Sequence, residues 1–284
     1  MGAHETLSVL QELLVFQHTI FDLSFVYIGM LLAGVPEARV FLLITIAFFS
    51  ARFSAMLMNR YVGRDYDLLN KGKRHMQSLS LPKSLILIAF LASALVFIFS
   101  AYLLNSLAFM LSPLVLLLFV IDPVSKRKTK QRHFLIGLMM GLGVFGGYIG
   151  NAGLFPTTVQ PYLLLFSILF VGAGFDMAYS IAYMAFDKAH GLRTYPAFYG
   201  ADRSLRYSLY AHSFASLLII LFGISTHSYA VAIASFIAAL LLLLEHHGVD
   251  SRNPGRIAGR FILYNASTAI LLLASVIVAV FAGL

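Results

Sequence analysis

Apolar runs of about twenty residues follow one another along this chain with only short breaks between them. They lie near 13–33, 38–58, 84–103, 106–121, 134–152, 161–182, 207–224, 228–244 and 261–282. A helix of about 20 apolar residues spans a hydrocarbon core of roughly 30 Å. In lipid, a spanning backbone must satisfy its own hydrogen bonds, so such runs fold as helices. The reading is an all-α, polytopic membrane bundle of nine transmembrane helices, with residues 1–284 as a single integral-membrane domain. Turn formers in "AGVPEA", "LLNSL", "NAGLFPTTVQP" and "GISTHS" mark short breaks.

The charges sort themselves against this pattern. Only 11% of the residues are charged, too few to cover a soluble surface. Eighteen of the twenty Lys and Arg fall in the breaks after spans 2, 4, 6 and 8; the exceptions are Arg39 and Arg52, at the edge of span 2 and inside it. The positive-inside rule puts those four loops and the N-terminus in the cytoplasm and the C-terminus outside. Orientation accounts for the net charge of +8, and no nucleic-acid partner is needed. The chain has no cysteine, which excludes disulfides and thiolate metal sites. Its first residues carry no Lys or Arg ahead of the first apolar run and do not read as a cleaved signal peptide. "MGAHET" fits the loose myristoylation pattern by chance.

Carboxylates are scarcer still, twelve in all, and four of them form two islands. Asp65 and Asp67 follow span 2 in "MLMNRYVGRDYD"; Asp176 and Asp187 lie at the cytoplasmic end of span 6. Asn59 and Asp67 are about two helical turns apart, and Asp176 and Asp187 about three, so each pair shares a face if its helix continues. Arg52 stands one or two turns before Asn59, inside the membrane, where ionisable groups are costly and usually functional. Helical carboxylates on the basic side of a bundle suit a hard cation such as Mg2+ shared with phosphate oxygens. Neighbouring Arg and Lys would complete a diphosphate site.

Four stretches, "ARFSAMLMNRYVGRDYD", "QRHFLIGLMMGLGVFGGYIG", "DMAYSIAYMAFDKAHGLRTYPAFYG" and "LEHHGVDSRNPGRIAGRFILYNA", resemble the UbiA superfamily of intramembrane prenyltransferases. The closest likeness is to the branch acting on dihydroxynaphthoate in the futalosine route to menaquinone, or on 4-hydroxybenzoate. The resemblance implies nine helices and two cytoplasmic Asp-rich motifs. It implies Mg2+ as cofactor, and a polyprenyl diphosphate and an aromatic acid as partners. The first family motif reads Asn-Asp-x-x-Asp-x-x-x-Asp; Asn59 and Asp67 match, while Arg60 and Gly63 replace the other two positions. In the second motif Tyr183 stands where a middle aspartate would be. The family's Arg-Pro after the first motif is absent, and "KGKRHMQS" supplies Lys71, Lys73 and Arg74 instead.

Carried over to matching positions, the resemblance makes Asp67, Asp176, Asp187 and Arg193 the catalytic candidates. Asn59, Asp65, Asp67, Asp176 and Asp187 are the metal candidates. Arg52, Asn59, Arg64, Lys73, Arg74, Tyr179 and Arg193 are the diphosphate candidates. Gly63 costs a helix about 1 kcal/mol against Ala, so the first motif is expected to loosen there and to swing Asp65 inward. Asp22 in span 1 is a second unexpected membrane carboxylate, read as a hydrogen-bonded structural residue or a cavity group. No metal role is expected for His18, His133 or the His246–His247 pair, since adjacent histidines on a helix do not share a face. Two other readings stay open: a non-catalytic isoprenoid-binding or partner protein, favoured by Gly63 and Tyr183, and a secondary transporter.

Overall fold

The computed structural model describes residues 16–70, 79 and 81–282, and every regular element among them is helical. The chain runs through α1 (Phe16–Leu32), α2 (Ala38–Leu69), α3 (Lys83–Leu104), α4 (Ser106–Lys128), α5 (Arg132–Ala152) and α6 (Gln160–Tyr179). A 3-10 turn, Ser180–Tyr183, leads into two short helices, α7 (Met184–Ala189) and α8 (Tyr195–Tyr199). The long helices α9 (Ala201–Ser225), α10 (Tyr229–Leu244) and α11 (Pro254–Ala282) follow. Among the described residues, seven helical stretches are long and apolar enough to cross a membrane. The expected spans near 13–33 and 228–244 correspond to shorter apolar helices, Thr19–Leu32 and Tyr229–Leu244.

Local chemistry sets the breaks. Asn105 ends α3 and caps α4: its Oδ1 accepts the Ala108 N–H at 2.8 Å, and its Nδ2 donates to the Ile149 carbonyl at 2.8 Å. Gly153 closes α5 in the left-handed conformation, φ 70°.

Two expectations are corrected here. Helix α2 does not loosen at Gly63; it continues unbroken to Leu69. Its 32 residues make a rod of about 48 Å, longer than the hydrocarbon core, so its last turns project beyond it. Conversely, the stretch from Asp176 to Asp187 is not one helix, because the Ser180–Tyr183 3-10 turn interrupts it.

Helices α1, α5, α6, α9, α10 and α11 pack in a closed circuit, α11 returning against α1. Phe25, Ile28, Leu164, Ile168, Phe222 and Leu242 fill its centre. Helices α2, α3 and α4 form a second group with Leu57, Ile86 and Phe90 between them, joined to the circuit through α4 and α5. Lipid offers little hydrophobic drive for helix association, so close approach by small residues matters. A Cβ at Gly137 of α5 would sit 1.9 Å from the Leu169 carbonyl oxygen of α6, so only glycine permits that crossing. Outward faces are apolar, with Ile88, Leu95, Phe99 and Phe236 exposed, as a bilayer requires.

Candidate diphosphate and metal site

A cavity of about 670 Å3 lies between the two helix groups, walled by α1 to α6 and α11. One end carries Arg52 and Asn59 from the far half of α2, Asp122 from the end of α4, Arg132 from the start of α5, and Asp176 and Tyr179 from the end of α6. The opposite end is apolar, built from Leu104, Ala108, Ile149 and Phe155. The cavity therefore has a charged head and a greasy tail.

Each charge at the head has a fixed partner. Asp22 of α1 accepts from Arg52 Nη1 at 2.6 Å, so the two unexpected membrane charges neutralise one another inside the cavity wall. Arg132 bridges two helices: its Nε is 3.1 Å from Asp122 Oδ1, and its Nη1 is 3.6 Å from Asp176 Oδ2. The buried His133 ring adds a second support for Asp176. Its Nε2 accepts the Tyr195 backbone N–H at 3.0 Å, which leaves the ring proton on Nδ1, 2.6 Å from Asp176 Oδ2.

Asp67 and Asp187 lie beside this head rather than in its wall. Both are buried. Asp67 accepts from Arg60 Nη1 at 2.5 Å. Asp187 Oδ2 accepts from the Thr194 hydroxyl at 3.0 Å, and its Oδ1 faces Lys126 Nζ at 3.2 Å. The Tyr183 hydroxyl hydrogen-bonds Tyr179 and lies within electrostatic range of both Asp67 and Asp187. One residue along from Asp67, the Tyr66 ring meets His190 with centroids 6.2 Å apart. The two islands, over a hundred residues apart in sequence, thus come together in space.

Gly63 lies between Asn59 and Asp67. A Cβ there would meet nothing nearer than Asn59 Oδ1 at 3.6 Å and Asp67 Oδ2 at 3.8 Å. The two oxygens flank an opening that a side chain or an ion can enter. Three carboxylates and one amide oxygen suit a hard divalent cation that takes further oxygens from phosphate and water.

The other candidates fall elsewhere. Asp65 is exposed and pairs with Lys83 at 3.1 Å, pointing away from the islands. Arg64 donates to the Leu81 carbonyl. Arg193 is exposed, and its Nη1 donates to the Lys128 carbonyl at 3.2 Å, which docks the loop after α7 onto the end of α4. Lys73 and Arg74 lie outside the described residues, as does the His18 side chain. Sequence reasoning missed Asp122, Arg132 and Lys126, counting the two cations among the orientation signals. An aspartate next to a helix proline in "VIDPVS" was the available clue to Asp122.

Residues 23–267 match the model of the UbiA prenyltransferase family. The comparison with curated protein sequences returned no match. Among solved structures, the apo form of a UbiA homolog from Aeropyrum pernix K1 is 28% identical with a TM-score of 0.82, covering 92% of this chain and 97% of that one. A structure of digeranylgeranylglyceryl phosphate synthase is 16% identical with a TM-score of 0.72, covering 96% and 99%. A UbiA homolog from Archaeoglobus fulgidus bound to DMAPP and Mg2+ is 16% identical with a TM-score of 0.71, covering 92% and 98%.

Proposed function

The chain belongs to the UbiA prenyltransferase family, and from that premise we propose that it moves a polyprenyl group from polyprenyl diphosphate to an aromatic acid of the dihydroxynaphthoate or 4-hydroxybenzoate type, in quinone biosynthesis. The observation that carries this reading is the two-ended cavity, with Arg52, Asn59, Arg132 and Asp176 at one end and apolar side chains at the other. A lipid diphosphate has the same polarity. The Archaeoglobus homolog bound to DMAPP and Mg2+ supports the choice of ligand class.

In this proposal Asn59, Asp67, Asp176 and Asp187 would hold Mg2+. When bound, the ion would neutralise charge on the diphosphate and make it a better leaving group. Arg52 and Arg132 contribute fixed positive charge at the cavity head, where a low dielectric strengthens it. The allylic C–O bond breaks with its electron pair on pyrophosphate. An acceptor ring carbon then bonds the allylic carbon, and the ring proton leaves on the released pyrophosphate. Phe175 and Tyr179, stacked with centroids 5.6 Å apart, present π faces to the developing cation. The apolar walls keep out water that would quench it. His133 acts only through Asp176, as a positioning residue.

Placed in a cell membrane by the positive-inside rule, the Asp-bearing loops and the N-terminal side are cytoplasmic and the C-terminus is outside. A second reading, a non-catalytic binder of isoprenoid or quinone lipids, draws on Gly63, Tyr183 and the Arg60–Asp67 pair, which ties up a motif carboxylate at 2.5 Å. One assay separates the two. Purified protein is given polyprenyl diphosphate, a panel of aromatic acids and Mg2+, and pyrophosphate release is followed. Turnover lost in Asp67→Ala and Asp176→Ala supports transfer; tight diphosphate binding without turnover supports the binder. Substrate accumulation in proteoliposomes without product would favour a transporter over both.

A further inference from the structure

A second polar cluster lies where α9, α10 and α11 meet. Glu245 directly follows α10 and is fully buried, as is His212 in the middle of α9; the His246 side chain is 8% exposed. His246 Nε2 stands 3.1 Å from His212 Nδ1 and 3.8 Å from Glu245 Oε1, and Oε1 also touches His212 Nδ1. His212 Nε2 is 3.0 Å from the Val171 carbonyl, which accepts a proton and gives none, so Nε2 carries the N–H and the neutral ring aims its Nδ1 lone pair at the cluster. Three ligand-type atoms thus meet within 4.8 Å of one another in a dry interior, where a metal ion would replace the protons they share.

We propose that His212 Nδ1, Glu245 Oε1 and His246 Nε2 form a binding site for a first-row transition-metal ion of the Zn2+ type. Two imidazoles and a carboxylate select such an ion over Mg2+, which prefers all-oxygen shells. The supports around the donors fit a ligand set. The Val171 carbonyl orients His212, and Asn265 Nδ2 donates to Glu245 Oε2 at 2.8 Å. Gly174 leaves the room: a Cβ there would lie 2.4 Å from the His212 ring. Bound metal would tie α9 to the α10–α11 junction. Asn265 also lines the main cavity, so the same ion would fix one side of that wall.

The test uses full-length protein purified without a polyhistidine tag, stripped with a chelator and re-exposed to Zn2+ or Co2+. The site predicts one equivalent of Zn2+ retained through gel filtration, a Co2+ visible spectrum with nitrogen ligation, and a higher thermal midpoint on Zn2+ addition. His246→Gln and Glu245→Gln should weaken retention more than tenfold, while Asp176→Asn, in the diphosphate site, should retain the metal. Substoichiometric Zn2+ in folded wild type would overturn the proposal, leaving a proton-sharing His–Glu cluster. So would equal retention in wild type and His246→Gln. If both cluster variants fail to fold, the stoichiometry and Co2+ spectrum of the wild type decide alone. Because none of these readouts involves prenyl transfer, they stand or fall apart from the proposed activity.

Discussion

The His133 ring joins two parts of the protein that the sequence holds far apart: Nδ1 lies 2.6 Å from Asp176 Oδ2, and Nε2 accepts the Tyr195 N–H at 3.0 Å. The carboxylate at the cavity head is thereby oriented by the backbone of a short helix outside the membrane. Replacing the ring removes both contacts. His133→Phe should leave the Tyr195 N–H buried without a partner, costing about 1–3 kcal/mol, and should free Asp176 to turn. The expected outcome is a lower thermal midpoint with prenyl diphosphate affinity down at least tenfold. His133→Asn should recover part of the affinity if positioning is the role.

Arg132 neutralises two buried carboxylates at once. Arg132→Leu leaves Asp122 without its ion-pair partner and Asp176 with His133 alone, and breaking such a buried pair costs about 3–5 kcal/mol. Unfolding in detergent should reveal a large loss. The double variant Arg132→Leu/Asp122→Leu should be more stable than the single one; equal stabilities would mean that Asp122 is not what Arg132 offsets.

Gly63→Asp should add a carboxylate in the opening between Asn59 and Asp67. Helix α2 already runs through this position, so the change also relieves a residue with poor helix propensity. Calorimetry should find Mg2+-dependent diphosphate binding about tenfold tighter, equivalent to about 1.4 kcal/mol. An unchanged affinity would mean that the opening is not a cation position.

Asp65 and Asp67 are two residues apart and should behave oppositely. Asp65 makes an exposed pair with Lys83, worth at most about 1 kcal/mol. Asp65→Asn should leave turnover within twofold of wild type, whereas Asp67→Ala should abolish it.

Gly137→Val should fail at the level of assembly. With the Leu169 carbonyl 1.9 Å from the first added carbon, α5 and α6 must move apart. Gel filtration of the detergent-solubilised protein should show aggregation or a sharply lower yield.

Hydropathy located the helices well, because lipid demands the same apolar run wherever a helix crosses. It placed the end of α2 at 58, since Asn59 and Arg60 look like the edge of the membrane; the helix instead carries them on to Leu69. Helical spacing then placed Asn59 and Asp67 on either side of Gly63 correctly, yet misjudged the path from Asp176 to Asp187, where a 3-10 turn intervenes. Asp122 and Arg132 escaped notice because their pairing joins two helices across a tight turn, and periodicity within one helix does not report that. The same blindness hid the His212–Glu245–His246 cluster. Neighbouring histidines do not chelate together, but here His246 meets the carboxylate of the residue before it and the His212 imidazole brought in from α9.

The unbroken course of α2 sets distances as well as directions. From Arg52 to Asn59 the axis advances about 10 Å, and from Asn59 to Asp67 about 12 Å. No hinge lies between them to absorb error. Under the proposed function the helix would act as a depth gauge, presenting the reactive carbon of a diphosphate gripped near its outer end at a set level below the bilayer surface.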